Sequence, residues 1–138
     1  MIKYLSVGAD NIWFTEDDTI YLSTVSLFDS NGIETRTISY TNPGIDGIWL
    51  SADDYVGHYT NISLDINGNK KRSISYISAG IDDILFTDDD RVSFYTDYSF
   101  DSNGNLVQES FYYHPGNDGI WFAGDEVVDS INIYDASF

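Results

Sequence analysis

The sequence predicts an all-β fold made of antiparallel hairpins, and three observations support this. Gly8, Gly44, Gly80 and Gly116 recur every 36 residues, and each opens a similar acidic segment. Between these segments, apolar and polar residues alternate with period two and are rich in β-branched and aromatic types, which is typical of half-buried strands. Asn-Gly pairs divide the alternating runs, as in hairpins. The fixed period therefore predicts four tandem 36-residue hairpin repeats in a single domain over residues 1–138.

The composition narrows the functional class. The chain has 138 residues and a net charge of −17, with only six Lys and Arg. So few cations argue against nucleic acid or an anionic membrane surface as a partner. No apolar run of about 18 residues occurs, so we expect no membrane insertion. The chain has no cysteine, while 42% apolar and 16% aromatic residues indicate a folded protein.

The first predicted strand is the segment that begins at Met1. Ile2 and Tyr4 precede Ile38 and Tyr40 by 36 residues, so this segment matches the return strand of a hairpin. We therefore expect the chain to be an excised or processed piece of a repeat array.

An outgoing strand follows each acidic segment, with apolar columns two residues apart that are predicted to face inward. These columns are Ile20/Val56/Val92/Val128, Leu22/His58/Phe94/Ser130 and Phe28/Leu64/Phe100.

A turn and a return strand complete each hairpin. The turns Asp29–Gly32, Asp65–Gly68 and Asp101–Gly104 end in Asn-Gly, which favours a type I′ turn. The return strands are predicted over Ile33–Thr41, Asn69–Ile77 and Asn105–Tyr113. Their inward columns are Ile38/Ile74/Ser110 and Tyr40/Tyr76/Tyr112.

The two ends of the chain carry complementary half hairpins, because it begins with a return strand and ends at Phe138, where an Asn-Gly turn would follow. Pairing within one chain would close eight strands into an antiparallel barrel or a strongly curved sheet with no free edge, which is the arrangement we expect. Pairing between chains would instead build a fibre or a domain-swapped oligomer.

The acidic loops 8–18, 44–54, 80–90 and 116–126 contain the candidate site. Each has an acid at positions 3, 10 and 11, counted from its glycine, on either side of an apolar Ile-Trp-Phe-like segment that is predicted to be buried. The twelve acids are Asp10, Asp17, Asp18, Asp46, Asp53, Asp54, Asp82, Asp89, Asp90, Asp118, Asp125 and Glu126.

Three carboxylates held close together repel one another unless a cation bridges them. Oxygen-only donors suit Ca²⁺, whereas Zn²⁺ needs His or Cys, so the loops predict calcium sites. The alternative is that these acids only form turns and guard strand ends. Thr15, Ser51 and Thr87 are candidate helpers, but Ala123 interrupts their column.

The GxDGIWFTxDD phrase and the Phe/Tyr-Asp-x-Asn-Gly-Asn turn resemble tandem repeats of bacterial secreted proteins and surface lipoproteins. The turn half, at Phe28–Gly32, Leu64–Asn69 and Phe100–Asn105, is similar to Rhs/YD repeats, although the 36-residue period exceeds theirs. This resemblance implies an extracellular, β-rich structural repeat without enzymatic activity.

Catalysis is not predicted, because a repeated chain offers symmetric groups where an active site needs an asymmetric set. His58 and His114 occupy different columns and are expected to pack rather than act as bases. Carbohydrate binding is the main competitor, since exposed indoles stack on sugars; the candidates are Trp13, Trp49 and Trp121. These tryptophans are otherwise expected to fill the space beneath the loops.

Taken together, these patterns predict a calcium-binding structural or adhesion module of a bacterial secreted or cell-surface protein. The alternatives are a multivalent lectin and a self-assembling fibre subunit. Calcium ions are the expected ligand, and carbohydrate or another surface protein is a candidate partner.

Overall fold

The computed structural model describes residues 1–134, and over that range it contains one eight-stranded antiparallel sheet and no helix. The predicted all-β class is confirmed. The strands are β1 Ile2–Ser6, β2 Thr19–Phe28, β3 Glu34–Asn42, β4 Tyr55–Leu64, β5 Lys70–Ser78, β6 Arg91–Phe100, β7 Leu106–Tyr112 and β8 Ser130–Ile133. Residues 135–138 lie outside the described part, so the predicted end of the last repeat at Phe138 does too.

Over residues 1–134 the sheet is not closed into a barrel, so the predicted barrel is not confirmed. Every strand pairs with its neighbours in sequence, in the order β1 to β8, and β1 and β8 form the two edges of the described sheet. A barrel covers its inner face with the opposite wall of the same sheet. Here the acidic loops fold over one face and supply its cover, so burial does not require closure.

The hairpin turns lie where the sequence predicts them, but they are not type I′. Asp29 N–H donates to the Ile33 carbonyl at 2.8 Å and Gly32 N–H donates to the Asp29 carbonyl at 3.1 Å. Gly32 has φ 78°, whereas type I′ needs positive φ at both central residues. Asp29 Oδ1 accepts the Asn31 N–H at 2.8 Å, which favours a type I turn followed by a left-handed glycine.

The strand pairings recur at offsets of 36 residues. Ser23 pairs with Tyr40 in the first hairpin, and the equivalent pairs are Tyr59 with Tyr76 and Tyr95 with Tyr112. Between hairpins, a register shift follows Ser39 opposite β4 and Ser75 opposite β6. The repeated sequence therefore forms the same hairpin geometry each time.

The predicted inward column that contains His58 does not match the buried face. His58 is exposed, while the next residue, Tyr59, is 1% exposed and belongs to the small apolar core with Ile62 and Tyr95. The register shift between Ser39 and Tyr40 adds a residue to one strand, so strict alternation counted from the loop does not give the buried face.

Aromatic side chains cover the face onto which the loops fold. Tyr59 stacks on Tyr76 with ring centroids 5.0 Å apart, and Phe86 from loop 80–90 meets Tyr59 edge-on at 5.1 Å. Arg36 lies over the Phe86 ring at 4.5 Å. Such contacts each add about 0.5–1.5 kcal/mol to the burial of the rings. The loop is thereby fixed against the preceding hairpin.

The same arrangement appears one period later. Tyr95 stacks on Tyr112 at 4.3 Å, Phe122 lies 5.0 Å from Tyr95, and Arg72 lies over Tyr95 at 4.5 Å. Arg72 also forms a two-pronged ion pair with Asp97, at 2.5 and 2.7 Å. This pair raises the pKa of Arg72, and burial raises the pKa of Tyr95 to about 12.

Candidate cation-binding loops

The first acid of each loop forms a local turn. Asp46 Oδ1 accepts the Ile48 N–H at 2.7 Å, and Asp10, Asp82 and Asp118 accept the N–H two residues ahead at 2.8–2.9 Å. An aspartate that bonds the backbone two residues on folds the chain as a turn would. This acid therefore reverses the chain at the start of the loop.

The second acid ties the end of the loop back to its glycine. Asp53 Oδ2 accepts the Ile45 N–H at 2.6 Å and the Asp46 N–H at 3.2 Å. Its carboxyl group lies against Gly44, where an added Cβ would come within 2.5 Å of it. The recurring glycine is needed because any side chain would displace this carboxylate. The equivalent packing is Asp17 on Gly8, Asp89 on Gly80 and Asp125 on Gly116.

The third acid supports a left-handed residue at loop position 7. Asp54 Oδ2 accepts the Leu50 N–H at 2.6 Å, and Leu50 has φ 67°. Asp90 does the same for Phe86, whose φ is 68°. Positive φ is strained for residues other than glycine, so a carboxylate bond that fixes it is a structural requirement. The equivalent pairs are Asp18 with Phe14 and Glu126 with Phe122.

A hydroxyl group stands where the three acids of loop 44–54 meet. Ser51 Oγ lies 2.7 Å from Asp53 Oδ1, 3.1 Å from Asp54 Oδ1 and 3.3 Å from Asp46 Oδ1. A serine hydroxyl donates one proton, so it satisfies one of these three oxygens at a time. Two anionic oxygens are then left facing the same point.

Loop 80–90 repeats this convergence with a threonine. Thr87 Oγ1 lies 2.8 Å from Asp89 Oδ1, 3.3 Å from Asp90 Oδ1 and 3.4 Å from Asp82 Oδ1. The Ile84 carbonyl oxygen lies 3.1 Å from the same hydroxyl. Three carboxylates and a carbonyl therefore surround one hydroxyl oxygen.

Loops 8–18 and 116–126 lack this convergence of three carboxylates on one hydroxyl. In loop 8–18, Thr15 Oγ1 lies 2.8 Å from Asp17 Oδ1 and 3.0 Å from the Ile12 carbonyl. Loop 116–126 has Ala123 at this position, and both carboxylate oxygens of Glu126 accept backbone N–H groups. The four loops thus share their backbone supports and differ in how many carboxylates reach a hydroxyl.

The hydrogen bonds favour the ionised form of the second acid. The Ser51 hydroxyl, followed by the Ile45 N–H, lowers the pKa of Asp53 below its ordinary value of 3.8. The Thr15 hydroxyl lowers the pKa of Asp17, and the Ile81 N–H followed by the Thr87 hydroxyl lowers that of Asp89. These carboxylates carry full negative charge at neutral pH, as a cation ligand must.

The donor set agrees with calcium in its chemistry but is not a closed cage. In residues 1–134, no three His, Cys, Asp or Glu side chains lie close enough together to hold one ion as they stand. The convergent groups are nonetheless carboxylate, hydroxyl and carbonyl oxygens, the ligand types that Ca²⁺ takes. The hydroxyl marks the point on which they converge in loops 44–54 and 80–90.

The apolar segment of each loop is only partly buried, which corrects the prediction of three buried anchors. Ile12, Ile48, Ile84 and Ile120 are 58–64% exposed, and Phe14 is 78% exposed. A single-layer sheet offers only one surface to each loop, so only some of these side chains can reach it. Phe86 and Phe122 do so, through the aromatic contacts described above.

The three tryptophans do not share one environment. Trp13 is 49% exposed, while Trp49 and Trp121 are half-buried. Trp121 meets Tyr95 edge-on at 5.9 Å. A groove of about 630 Å³ lies between loops 44–54 and 80–90, and Tyr55 and Asp83 are among its lining residues, whereas the tryptophans are not.

Ser51, Thr87 and Thr15 supply hydroxyls that the sequence prediction leaves out of the candidate site. Three of the four loops carry Ser or Thr at position 8, which is the signal that points to them. Ala123 obscures this signal, because it interrupts the column in the fourth loop.

Comparison with known proteins identifies the fold but no function. A DUF3836 family protein from Bacteroides vulgatus aligns with a TM-score of 0.57 at 9% identity, over 83% of this chain and 99% of that one. A protein of unknown function from Bacteroides fragilis aligns with a TM-score of 0.39 at 11% identity, over 82% and 91%. No family model matches the sequence, and no curated protein matches it. No helix able to span a membrane is found in residues 1–134.

Proposed function

We propose that this chain is a calcium-stabilised structural or adhesion module of a bacterial secreted or cell-surface protein, built from four tandem hairpin repeats. The observation that carries the proposal is the placement of three carboxylate oxygens within 3.3 Å of Ser51 Oγ, repeated within 3.4 Å of Thr87 Oγ1. In the two most complete sites, in loops 44–54 and 80–90, six acids and two hydroxyls would bind one ion per loop. Asp17 and Thr15 would contribute to a weaker one.

Charge supports this proposal. The chain has a net charge of −17, and in loops 44–54 and 80–90 three carboxylates lie near one point. Bound divalent cations would remove self-repulsion that a single hydroxyl proton cannot remove. The second and third acids of loops 44–54 and 80–90 use Oδ2 for backbone N–H groups, which leaves Oδ1 facing the hydroxyl. The ordering cost of a site is therefore partly met before an ion arrives.

Structure supports a scaffold role. Loops 80–90 and 116–126 each connect one hairpin to the next strand and pack an aromatic side chain at position 7 on the preceding hairpin. A cation in such a loop would hold the Gly and Asp-Asp ends together and so stiffen the junction between hairpins. Calcium outside the cell would favour the folded module, in line with the resemblance to extracellular repeats. No enzymatic role is proposed.

Thermal unfolding tests the proposal. Excess EDTA is expected to lower the melting temperature, and added calcium in excess over EDTA to restore it, since a ligand of the folded state stabilises by mass action. Magnesium at the same concentration is the control for non-specific screening of charge, and it is expected to restore less. Equal melting in EDTA and in calcium contradicts the calcium site.

A second candidate function, carbohydrate binding, is favoured by the groove between loops 44–54 and 80–90. Its lining includes Tyr55, Asp53 and Asp83, which supply an aromatic face and hydroxyl-binding carboxylates. Trp13, the exposed tryptophan, is an additional stacking surface. Binding to a glycan array, with Tyr55→Ala as the weakened variant, separates this function from a purely structural one.

A further inference from the structure

We propose that copies of this chain join head to tail, with the outer edge of β8 pairing with β1 of a second copy. β1 and β8 lie at opposite ends of the strand order, and in residues 1–134 each pairs on one side only. The outer side of an edge strand presents a row of free N–H and C=O groups. This inference rests on the sheet edges and is independent of calcium in the loops.

The two edges are complementary in type. β1 pairs with β2 as β3 pairs with β4, so β1 is a return strand. β7 pairs with β8 as β3 pairs with β4, so β8 is an outgoing strand. The corresponding pairs are Ile2↔Ser23, Ile38↔Tyr59 and Ser110↔Ile131. The outer edge of β8 can therefore pair with a return strand such as β1.

The hairpins inside the chain fix the register of the new pair. In the first hairpin, Ser23 pairs with Tyr40 and Thr24 with Ser39, and the next two hairpins repeat this 36 and 72 residues later. The same offset, carried across the junction, gives three cross-copy pairs. These are Ile131 opposite Tyr4, Asn132 opposite Lys3, and Ile133 opposite Ile2.

The side chains on the two edges agree with this register. Ile133 is 77% exposed and Ile2 is 44% exposed, so their pairing removes apolar surface from water. Lys3 of the second copy enters a row that holds Asn132 and Glu109, where Asn132 Nδ2 donates to Glu109 Oε2 at 3.2 Å. A lysine on an edge strand usually opposes pairing. Here it meets a carboxylate in its own row.

The backbone of β8 allows a selective block. Tyr134 N–H donates to the Val107 carbonyl at 2.9 Å, and successive N–H groups in a strand point to opposite sides. The Ile133 N–H therefore points away from β7, toward the second copy. Ile133→Pro removes that donor and leaves the pairing of β8 with β7 in place, because proline is tolerated at an outward-facing edge position.

Cysteine cross-linking tests the register, because the natural chain has no cysteine. The internal equivalents of the Asn132 and Lys3 positions are in contact: Thr24 Oγ1 lies 3.2 Å from Ser39 Oγ, and Thr60 Oγ1 lies 3.3 Å from Ser75 Oγ. A mixture of K3C and N132C proteins is therefore expected to form a disulfide-linked heterodimer under mild oxidation. A mixture of K3C and I131C is the control, since residue 131 faces the other side of the sheet.

Sedimentation velocity gives an independent measurement. The mean mass of the wild-type chain is expected to rise with concentration, while Ile133→Pro stays at the monomer mass with an unchanged melting temperature. Lys3→Glu, a surface change that leaves the fold intact, is expected to weaken association as well. A wild-type chain that stays monomeric at every concentration overturns the proposal. So does cross-linking that is equal for N132C and I131C.

Discussion

Loops 44–54 and 116–126 share the contacts between acids and backbone that shape the loop, but they differ in the groups at the centre of the loop. Comparing them separates the residues that the fold uses from those that a cation would bind. In both, the second acid lies against the opening glycine and the third acid bonds the N–H of a left-handed residue at position 7. Only the first has a hydroxyl, Ser51, on which three carboxylates converge. Acids therefore recur in every loop because they form the hydrogen bonds that shape it, while the proposed cation sites also use the hydroxyl.

The largest expected effect comes from breaking the shared architecture. Gly44→Ala places a Cβ 2.4 Å from the Asp53 carbonyl oxygen, at a residue with φ 67°. Left-handed strain and overpacking together are expected to cost about 3 kcal/mol of unfolding free energy. Gly47→Ala is the matched control, because Gly47 has φ 72° but no atom within 4 Å of the added Cβ. Its expected cost is about 1 kcal/mol.

Chemical denaturation of the two variants measures this difference, and equal costs for Gly44→Ala and Gly47→Ala contradict the packing of Asp53 on the loop glycine.

The next effect concerns mainly the ligand chemistry. The double variant Ser51→Ala, Thr87→Ala is expected to lose most of the melting-temperature rise that calcium gives the wild type. Its melting temperature in EDTA is expected to fall by the smaller amount that the lost hydroxyl–carboxylate hydrogen bonds contribute. Each saturated site contributes about 2.7 kcal/mol when calcium is 100-fold above its dissociation constant. Scanning calorimetry with and without calcium measures the loss. If calcium raises the melting temperature of the double variant as much as that of the wild type, the two hydroxyls do not contribute to calcium binding.

Acid sensitivity gives a smaller effect with a defined sign. The pKa of Asp53 is lowered in the folded state, so its ionised form stabilises the fold above the ordinary value of 3.8. That stability disappears as the pH falls from 3.8 through the lowered pKa. Ser51→Ala removes the main cause of the shift and is expected to move the acid-unfolding midpoint to higher pH.

In an Asp53→Asn background, the same Ser51→Ala change is expected to leave the midpoint where Asp53→Asn alone puts it. Circular dichroism across the acid range follows both variants, and a further shift in the double variant speaks against coupling through this carboxylate.

The smallest effect is a gain of function in the loop that lacks the hydroxyl. Ala123→Ser with Glu126→Asp gives loop 116–126 the donor types of loop 44–54. Calcium binding is expected to gain a weak additional site, since the loop has not been otherwise adjusted. Isothermal titration calorimetry measures the stoichiometry, and the change Ala123→Val, which adds bulk without a donor, is the control.

The sequence was sufficient for the strands and the positions of the turns, because period-two alternation and Asp-x-Asn-Gly signals are local. It did not predict the open sheet, since closure depends on how each face is covered. Loop residues such as Phe86 provide that cover through contacts with Tyr59, and such contacts cannot be predicted from the alternation of apolar residues. Likewise, the sequence predicts His58 on the buried face because the register shift beside Ser39 is not visible in the alternation of apolar and polar residues.

The candidate site was predictable in its acids but not in its geometry. Twelve repeated carboxylates stand out in the sequence, yet backbone N–H bonds account for much of their recurrence. The contribution of Ser51 appears only when three side chains from different loop positions are seen to meet. A pattern of residue types therefore does not distinguish the loops in which three carboxylates meet a hydroxyl from those in which they do not.

A calcium titration followed by amide-resolved NMR on the wild-type chain tests the proposed cation sites most directly. We expect saturable shifts of the amides around Ser51 and Thr87, with the amides around Ala123 left nearly unchanged. Shifts of equal size and midpoint in all four loops, or no saturable shift in any of them, would contradict it.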